Sequence, residues 1–339
     1  MSDALKPLLE RILSGAHLSE NEAASVMAAM ADGDVPAALA GAMLAALRAK
    51  GETAAEIRGF AREMRARARR PDIDSALPTV DTVGTGGDGS GSYNLSTGTA
   101  LLAAAAGAQV VKHGNRSVSS KSGSADVLET LGVPLQLPPE RAGDCLTACG
   151  FTFLFAPVYH PAMKTVVPVR QAMGVRTVFN ILGPLTNPAQ TPYQVIGAFR
   201  DDVAALMAEA LSGLPIKRAF VVHGDNGWDE ATPAAPFTLY DVTPGSVQRH
   251  TRSAADYGLP VCDAQALAGG DAACNAAALR AVLAGEDVGA HRDALLMGVS
   301  LVLESAGLVD DPLLGVARAQ AAIDDGSAMR VLKKLAAFE

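Results

Sequence analysis

From Val80 to Thr97 the chain reads Val-Asp-Thr-Val-Gly-Thr-Gly-Gly-Asp-Gly-Ser-Gly-Ser-Tyr-Asn-Leu-Ser-Thr. The β-branched, apolar opening predicts a strand, and the small apolar residues of 97–106 predict a helix. A turn this rich in glycine and hydroxyls between a strand and a helix admits few folds. Glycine lets backbone N–H groups approach an anion closely, and Ser96 is placed to cap a helix whose N-terminus attracts phosphate. Gly84, Gly86 and Gly89 match the spacing of a dinucleotide-binding turn. That fold also needs an acid at the end of its second strand, and the second strand candidate, 109–112, ends in Lys112. No Gly-Lys-Ser/Thr closes the turn, which excludes a nucleotide P-loop.

The next loop, Lys112-His113-Gly114-Asn115-Arg116-Ser117-Val118-Ser119-Ser120-Lys121-Ser122-Gly123-Ser124, carries cations and hydroxyls to the end of the adjacent strand. In an open α/β sheet that edge binds ligands. Residues 89 to 125 contain no Asp or Glu, although the whole chain has a formal net charge of −8. The acidic average excludes nucleic acid and anionic membrane as general partners, because Lys and Arg carry phosphate affinity. The acid-free stretch marks a site for a small, multiply phosphorylated ligand.

With 339 residues, 49% of them hydrophobic, the chain can bury a large core and is not disordered. Residues 1–70 read as helices. Ser19 with Glu22 and Thr53 with Glu56 form capping boxes, Pro36 suits a first helical turn, and Gly51 suits a helix stop. Beyond about Val80, strand candidates at 79–83, 109–112, 151–155, 195–199 and 219–223 alternate with helical stretches. That alternation predicts an α/β fold: a small all-helical N-terminal domain, then a larger domain with a central, largely parallel sheet flanked by helices. Segments 237–242 and 246–251, joined across Pro244-Gly245, predict a hairpin, and the chain beyond Ala272 reads as helical. Cys145, Cys149, Cys262 and Cys274 are sparse and lack metal-ligand spacing, so reduced structural thiols are expected. With no basic leader and no apolar run long enough to span a bilayer, the expected location is the cytoplasm.

A polyanion of this kind commonly travels with Mg²⁺, which takes oxygen ligands. Asp229 and Glu230, following the apolar run 219–223, are adjacent carboxylates that repel unless a cation sits beside them; an exposed acidic turn is the alternative. Arg170 is suited to gripping a carboxylate through two parallel hydrogen bonds, or it is a solvated helix residue.

Taken in order, Gly84-Thr85-Gly86-Gly87-Asp88, Asn94-Leu95-Ser96-Thr97, Lys112-His113-Gly114-Asn115-Arg116, Gly123-Ser124-Ala125-Asp126-Val127-Leu128-Glu129, Phe179-Asn180 to Pro188 and His223-Gly224 to Asp229-Glu230 carry a resemblance. Over nearly its full length the chain resembles the anthranilate phosphoribosyltransferase family, of the nucleoside phosphorylase/phosphoribosyltransferase fold. The resemblance implies a helical domain over 1–70, joined by helices from about 160–185, and a catalytic domain over 78–339. It implies a homodimer formed through the helical domain, and no nucleic-acid or membrane partner.

The implied reaction, in tryptophan biosynthesis, moves a phosphoribosyl group from 5-phosphoribosyl 1-diphosphate (PRPP) to the amine of anthranilate and releases pyrophosphate. Implied PRPP contacts are Gly84, Gly87, Asp88, Ser92, Asn94, Leu95, Ser96, Thr97, Lys112, His113, Gly114, Asn115, Arg116, Ser117, Val118, Ser119, Ser120 and Ser124. Implied anthranilate contacts are Gly84, Asn115 and Arg170, with His113 and Pro161 lining the pocket. Implied Mg²⁺ ligands are Ser96, Asp229 and Glu230. No side chain is assigned as a catalytic acid or base, because an aromatic amine becomes acidic once it has attacked. Two departures stand out: Ser92 where the family commonly has Thr, which keeps the hydroxyl, and Trp228 in place of a more usual aliphatic residue before the acidic pair. The alternatives are a pyrimidine nucleoside phosphorylase-like enzyme, and a non-catalytic nucleic-acid-binding relative, which would need a basic surface.

Overall fold

The capping boxes open two of the four N-terminal helices. In a computed structural model that describes residues 2–117 and 121–338, these are α1 (Ser2–Leu13), α2 (Glu20–Asp32), α3 (Ala37–Lys50) and α4 (Ala54–Arg67). Ser19 caps α2 and Thr53 caps α4, each with its Glu partner returning the bond. Pro36 sits one residue earlier than expected, at the N-cap of α3, and Gly51 ends that helix with a φ of 87°. Glu56 does more than cap: fully buried, it accepts from the Leu18 N–H at 2.8 Å and pairs with Lys50 at 2.9 Å.

The larger unit is built on seven strands: β1 (Thr79–Gly84), β2 (Gln109–Gly114), β3 (Phe151–Phe155), β4 (Tyr193–Gly197), β5 (Arg218–Gly224), β6 (Phe237–Thr243) and β7 (Ser246–Arg252). Their order is β3-β2-β1-β4-β5-β6-β7, parallel from β3 through β5 and antiparallel for the β6–β7 hairpin. The expected architecture is thus the observed one, with one strand misplaced by two residues. The run 195–199 was expected as a strand, but β4 starts at Tyr193 because Tyr193 and Gln194 pair with both neighbours, and it stops at Gly197.

Helix α5 (Leu95–Ala105) connects β1 to β2; α6 (Ser124–Thr130) and α7 (Ala142–Cys149) connect β2 to β3. After β3 the chain leaves the sheet through α8 (Ala156–Tyr159), α9 (Val167–Met173) and α10 (Phe179–Leu182), and returns as β4 on the other side of β1. That reversal makes the C-terminal ends of β1 and β4 a topological switch point, the place where an open α/β sheet leaves a crevice for ligands.

One sheet face is covered by α5 together with α12 (Ala272–Leu283), α13 (Ala290–Ser305), α14 (Pro312–Asp324) and α15 (Ser327–Ala336). The other is covered by α11 (Asp201–Ser212), and its core runs without a break into the helical bundle through Phe60, Ala61 and Met64 of α4. The excursion between β3 and β4 packs on that bundle: α9 against α3, α10 against α4, and the turn Pro161–Thr165 against α2. Arg65 of α4 pins it, donating to the Leu185 carbonyl at 2.7 Å from a buried guanidinium.

Removing Glu56 breaks a cap and leaves the nearly buried Lys50 without its counter-charge. Glu56→Ala is expected to cost about 3–5 kcal/mol, read as a lower urea midpoint at unchanged slope, with Glu56→Gln losing less.

Candidate active site

Gly84 of β1 and Gly197 of β4 are registered partners at the switch point. A side chain on Gly197 would overlap the Asp229 backbone, and one on Gly84 would overlap the Asp229 carboxylate. The absence of both Cβ atoms lets the loop after β5 fold across the crevice. Asp229 is therefore buried, with its Oδ2 accepting from the Gly86 N–H at 2.6 Å. Asp88 of the glycine loop accepts from the Asp229 N–H at 3.2 Å, so the two loops hold each other. Trp228, the departure before the acidic pair, is buried in the main core, and its carbonyl accepts from the Gly224 N–H at 2.9 Å.

The cluster is electrostatically unsatisfied. Burial first, then the nearby Asp88 charge, pushes the Asp229 carboxyl up to about 7. Burial and the Asp229 charge push Glu230 well above the carboxylate range, against the pull of Lys112 and the Ser96 N–H. Adjacent carboxylates, one buried and one half-buried, are oxygen donors of the kind a hard divalent cation takes. Among the described residues no three His, Cys, Asp or Glu side chains converge as a complete metal cage. Oxygen donors of this kind would suit an ion such as Mg²⁺, which keeps several waters and is held by one or two carboxylates.

Ser96 does not cap α5. Asn94 holds the N-cap position, and Ser96 lies in the first turn. Sequence reasoning placed the cap by residue preference, whereas the turn after Tyr93 starts the helix earlier. The Asn94 amide is oriented by Asn275 of α12, which donates to its Oδ1 at 2.8 Å. Leu95 is buried in the core, leaving only its backbone for a ligand, and Thr97 is wholly buried. Ser92 pairs as an isolated bridge with Ala268, and its hydroxyl receives the Ser90 hydroxyl at 3.2 Å.

The second loop differs most from expectation. Lys112 is 1% exposed inside β2, its ammonium donating to the Thr82 carbonyl at 2.6 Å and to the Ser96 hydroxyl at 3.4 Å. Arg116 turns away to pair with Asp126 and Glu129 of α6, both at 2.8 Å. The acid-free stretch thus loses one of its cations to acids that lie just beyond its end. Asn115 accepts the Ser124 hydroxyl on its carbonyl at 3.2 Å, closing the loop onto α6. Gly114 ends β2, and the Ser117 N–H donates to Asp126 at 3.2 Å. Val118, Ser119 and Ser120 lie outside the described residues.

His113 is buried on β2, its ring 5.1 Å from that of His160. Burial, reinforced by His160, pulls His113 down to about 3, and burial pulls His160 down to about 4. Pro161 follows at the start of its turn, and Arg170 projects from α9 over the Phe179 ring at 5.2 Å. Burial lowers the Arg170 pKa, and among the described residues no carboxylate pairs with it. The structure brings Gly84, Asp88, Asp229, Glu230, Ser96 and Lys112 into one cluster; Pro161 and Arg170 stand apart on the excursion.

One residue beside the site is legible only as an anomaly. Asp81 is an acid inside the apolar β1 run, and such an acid must find partners when buried. Its carboxylate accepts from Asn187 at 2.8 Å and from the His113 N–H at 3.3 Å. Burial raises it to about 6 against the pull of Lys112. Asn187 also donates to the Val111 carbonyl at 2.8 Å, fastening the end of the excursion to β1 and β2.

His160 gives a pH signature. Its folded pKa lies below the ordinary value of 6.5, so the unfolded chain takes up the proton first as pH falls. The stability His160 contributes is present above pH 6.5 and lost towards pH 4. His160→Asn is expected to remove up to one proton from the pH dependence of unfolding in that window, about 1.4 kcal/mol per pH unit, measured by denaturant titration across pH.

Comparison with known proteins agrees along the whole chain. Residues 76–329 match the α/β domain of a glycosyl transferase family, and residues 6–68 match that family's helical bundle domain. The anthranilate phosphoribosyltransferase of Desulforudis audaxviator is 46% identical over 334 residues, 98% of this chain and 96% of the relative. That of Chloroflexus aurantiacus is 46% identical over 98% of both chains. The crystal structure of the Thermus thermophilus enzyme superposes with a TM-score of 0.91 at 44% identity, covering 97% of this chain and 98% of that one. The Saccharomyces cerevisiae enzyme in complex with PRPP and Mg superposes at 0.89 with 25% identity, covering 99% and 97%. Sequence, fold and switch-point cluster agree, and the chain belongs to the anthranilate phosphoribosyltransferase family.

Proposed function

We propose that this chain transfers the phosphoribosyl group of PRPP to the amine of anthranilate, releasing pyrophosphate, as a step of tryptophan biosynthesis. One observation carries the reading. The switch-point crevice gathers the carboxylates of Asp88, Asp229 and Glu230, with Asp229 buried, a set suited to a cation-bound diphosphate, and the excursion carries a guanidinium, Arg170, with no carboxylate partner among the described residues. The Saccharomyces cerevisiae relative has been solved with PRPP and Mg, and also with 4-fluoroanthranilate.

The acceptor amine forms a bond to ribose C1 as the C1–O bond to diphosphate breaks; the amine then gives up a proton. Positive charge builds on the ribose and negative charge on the departing diphosphate, so the protein's work is positioning and electrostatic stabilisation. Backbone N–H groups of the Gly84–Asp88 turn, with Ser92, Asn94 and the start of α5, bind the donor's phosphates. Lys112 supplies a fixed positive charge from below. Residues His113 to Ser117 and Ser124 add further donor contacts, and Val118, Ser119 and Ser120, outside the described residues, are proposed as contacts with them. Arg170 grips the anthranilate carboxylate, Asn115 and Gly84 orient the amine, and His113 and Pro161 line the pocket. Asp229, Glu230 and the Ser96 hydroxyl would hold Mg²⁺, which when bound neutralises charge on the diphosphate.

The assembly we infer is a homodimer through the helical bundle, where Leu13 of α1 stands 63% exposed. The cytoplasm is the inferred location; all four cysteines are unpaired, as a reducing compartment keeps them, and no helix among the described residues is long and apolar enough to cross a membrane.

Anthranilate fluorescence should fall when PRPP and Mg²⁺ are added; no change at saturating substrates would overturn the reading. Arg170→Ala forfeits a charge-assisted pair worth about 1.5–3 kcal/mol, so the anthranilate KM should rise roughly 10- to 150-fold with little change for PRPP. Asp229→Asn with Glu230→Gln should weaken the Mg²⁺ dependence of the rate; an unchanged Mg²⁺ titration removes them as ligands.

A further inference from the structure

Arg176 lies on the linker between α9, which carries Arg170, and α10. Its guanidinium donates to the Gly87 carbonyl of the glycine turn. The same group stacks on the Phe199 ring, just beyond β4, with 4.3 Å between guanidinium carbon and ring centre. Its own backbone carbonyl accepts from Arg48 of α3 at 2.8 Å. Bundle, excursion, switch point and glycine turn meet in this one residue. No carboxylate neutralises it among the described residues, although Asp88, Asp229 and Glu230 lie in the cluster beside it.

The bond to Gly87 has a geometric consequence. Gly86 and Gly87 both have positive φ, 69° and 72°, the left-handed region that glycine enters without steric cost. In a trans peptide the carbonyl oxygen and the following N–H point in opposite directions, and this chain has no cis peptide among its described residues. With the Gly87 carbonyl held by Arg176, the Asp88 N–H points to the opposite side of the peptide, away from that guanidinium.

We propose that Arg176 is a positioning residue for the phosphoribosyl donor. It fixes the orientation of the Gly87–Asp88 peptide within the turn that receives the diphosphate, and it ties that turn to the segment that carries Arg170. The inference rests on the reading of the crevice as a diphosphate site and adds a residue that acts through the backbone. Lysine would keep the charge but lose the planar group that stacks on Phe199 while donating to Gly87.

The test measures PRPP binding with Mg²⁺ by calorimetry, without acceptor, and the two KM values in turnover. Arg176→Ala should weaken PRPP binding and raise its KM about tenfold, leaving the anthranilate KM within about twofold and the melting temperature unchanged. Arg176→Lys should stay close to the alanine variant. Unaltered PRPP binding in Arg176→Ala, or equal rises in both KM values, overturns the proposal. Full recovery by lysine also overturns it, because charge alone would then suffice. A wild-type protein that binds PRPP but makes no product counts against the reaction proposed above, while calorimetry on the two variants still decides the role of Arg176.

Discussion

Burying Asp229 beside Asp88 and Glu230 at the end of the sheet is the constraint on which the rest of the site depends. Burial, and then the neighbouring like charges, raise the pKa of Asp229 and of Glu230 and destabilise their ionised forms. The fold tolerates this by surrounding them with donors: the Gly86 N–H on Asp229, the Ser96 N–H on Glu230, and Lys112 beneath. Those donors exist because β1, β4 and the start of α5 converge at the switch point, and because Gly84 and Gly197 leave room for the loop after β5. What remains unsatisfied is a demand for positive charge, of the kind a hard divalent cation answers.

The excursion between β3 and β4 explains why the helical bundle and the sheet form one working unit. Its helices pack on the bundle, and Arg65 holds it at Leu185 from a guanidinium that burial lowers to about 10. Its end is fastened to β1 and β2 by Asn187 on Asp81, and its middle reaches the glycine turn through Arg176. Arg170 thus stands on a segment anchored to both halves. An arginine held that way is pre-organised for a carboxylate at small entropic cost.

Much of this was legible in the residues. Capping boxes and the glycine turn encode local hydrogen bonding, so they appear in the sequence as fixed spacings. Long-range pairing does not. Arg116 reads as a free cation until the loop folds onto α6, and Lys112 reads as a surface cation until β2 is seen between β1 and β3. Gly197 looks like an ordinary strand residue, and only the passage of Asp229 over it shows why no side chain fits.

By itself, the sequence determined the element types, the parallel α/β class, and two successive loops rich in glycine, hydroxyls and cations after adjacent strands. These follow from short-range periodicity and backbone chemistry. Only the tertiary structure decided which charges are spent on one another and which remain for a ligand. Arg116 is consumed by Asp126 and Glu129, while Arg170 is left without a carboxylate among the described residues. The physical reason is that neutralisation depends on a few ångströms of separation, and residues distant in sequence reach that separation only when the sheet closes around its switch point.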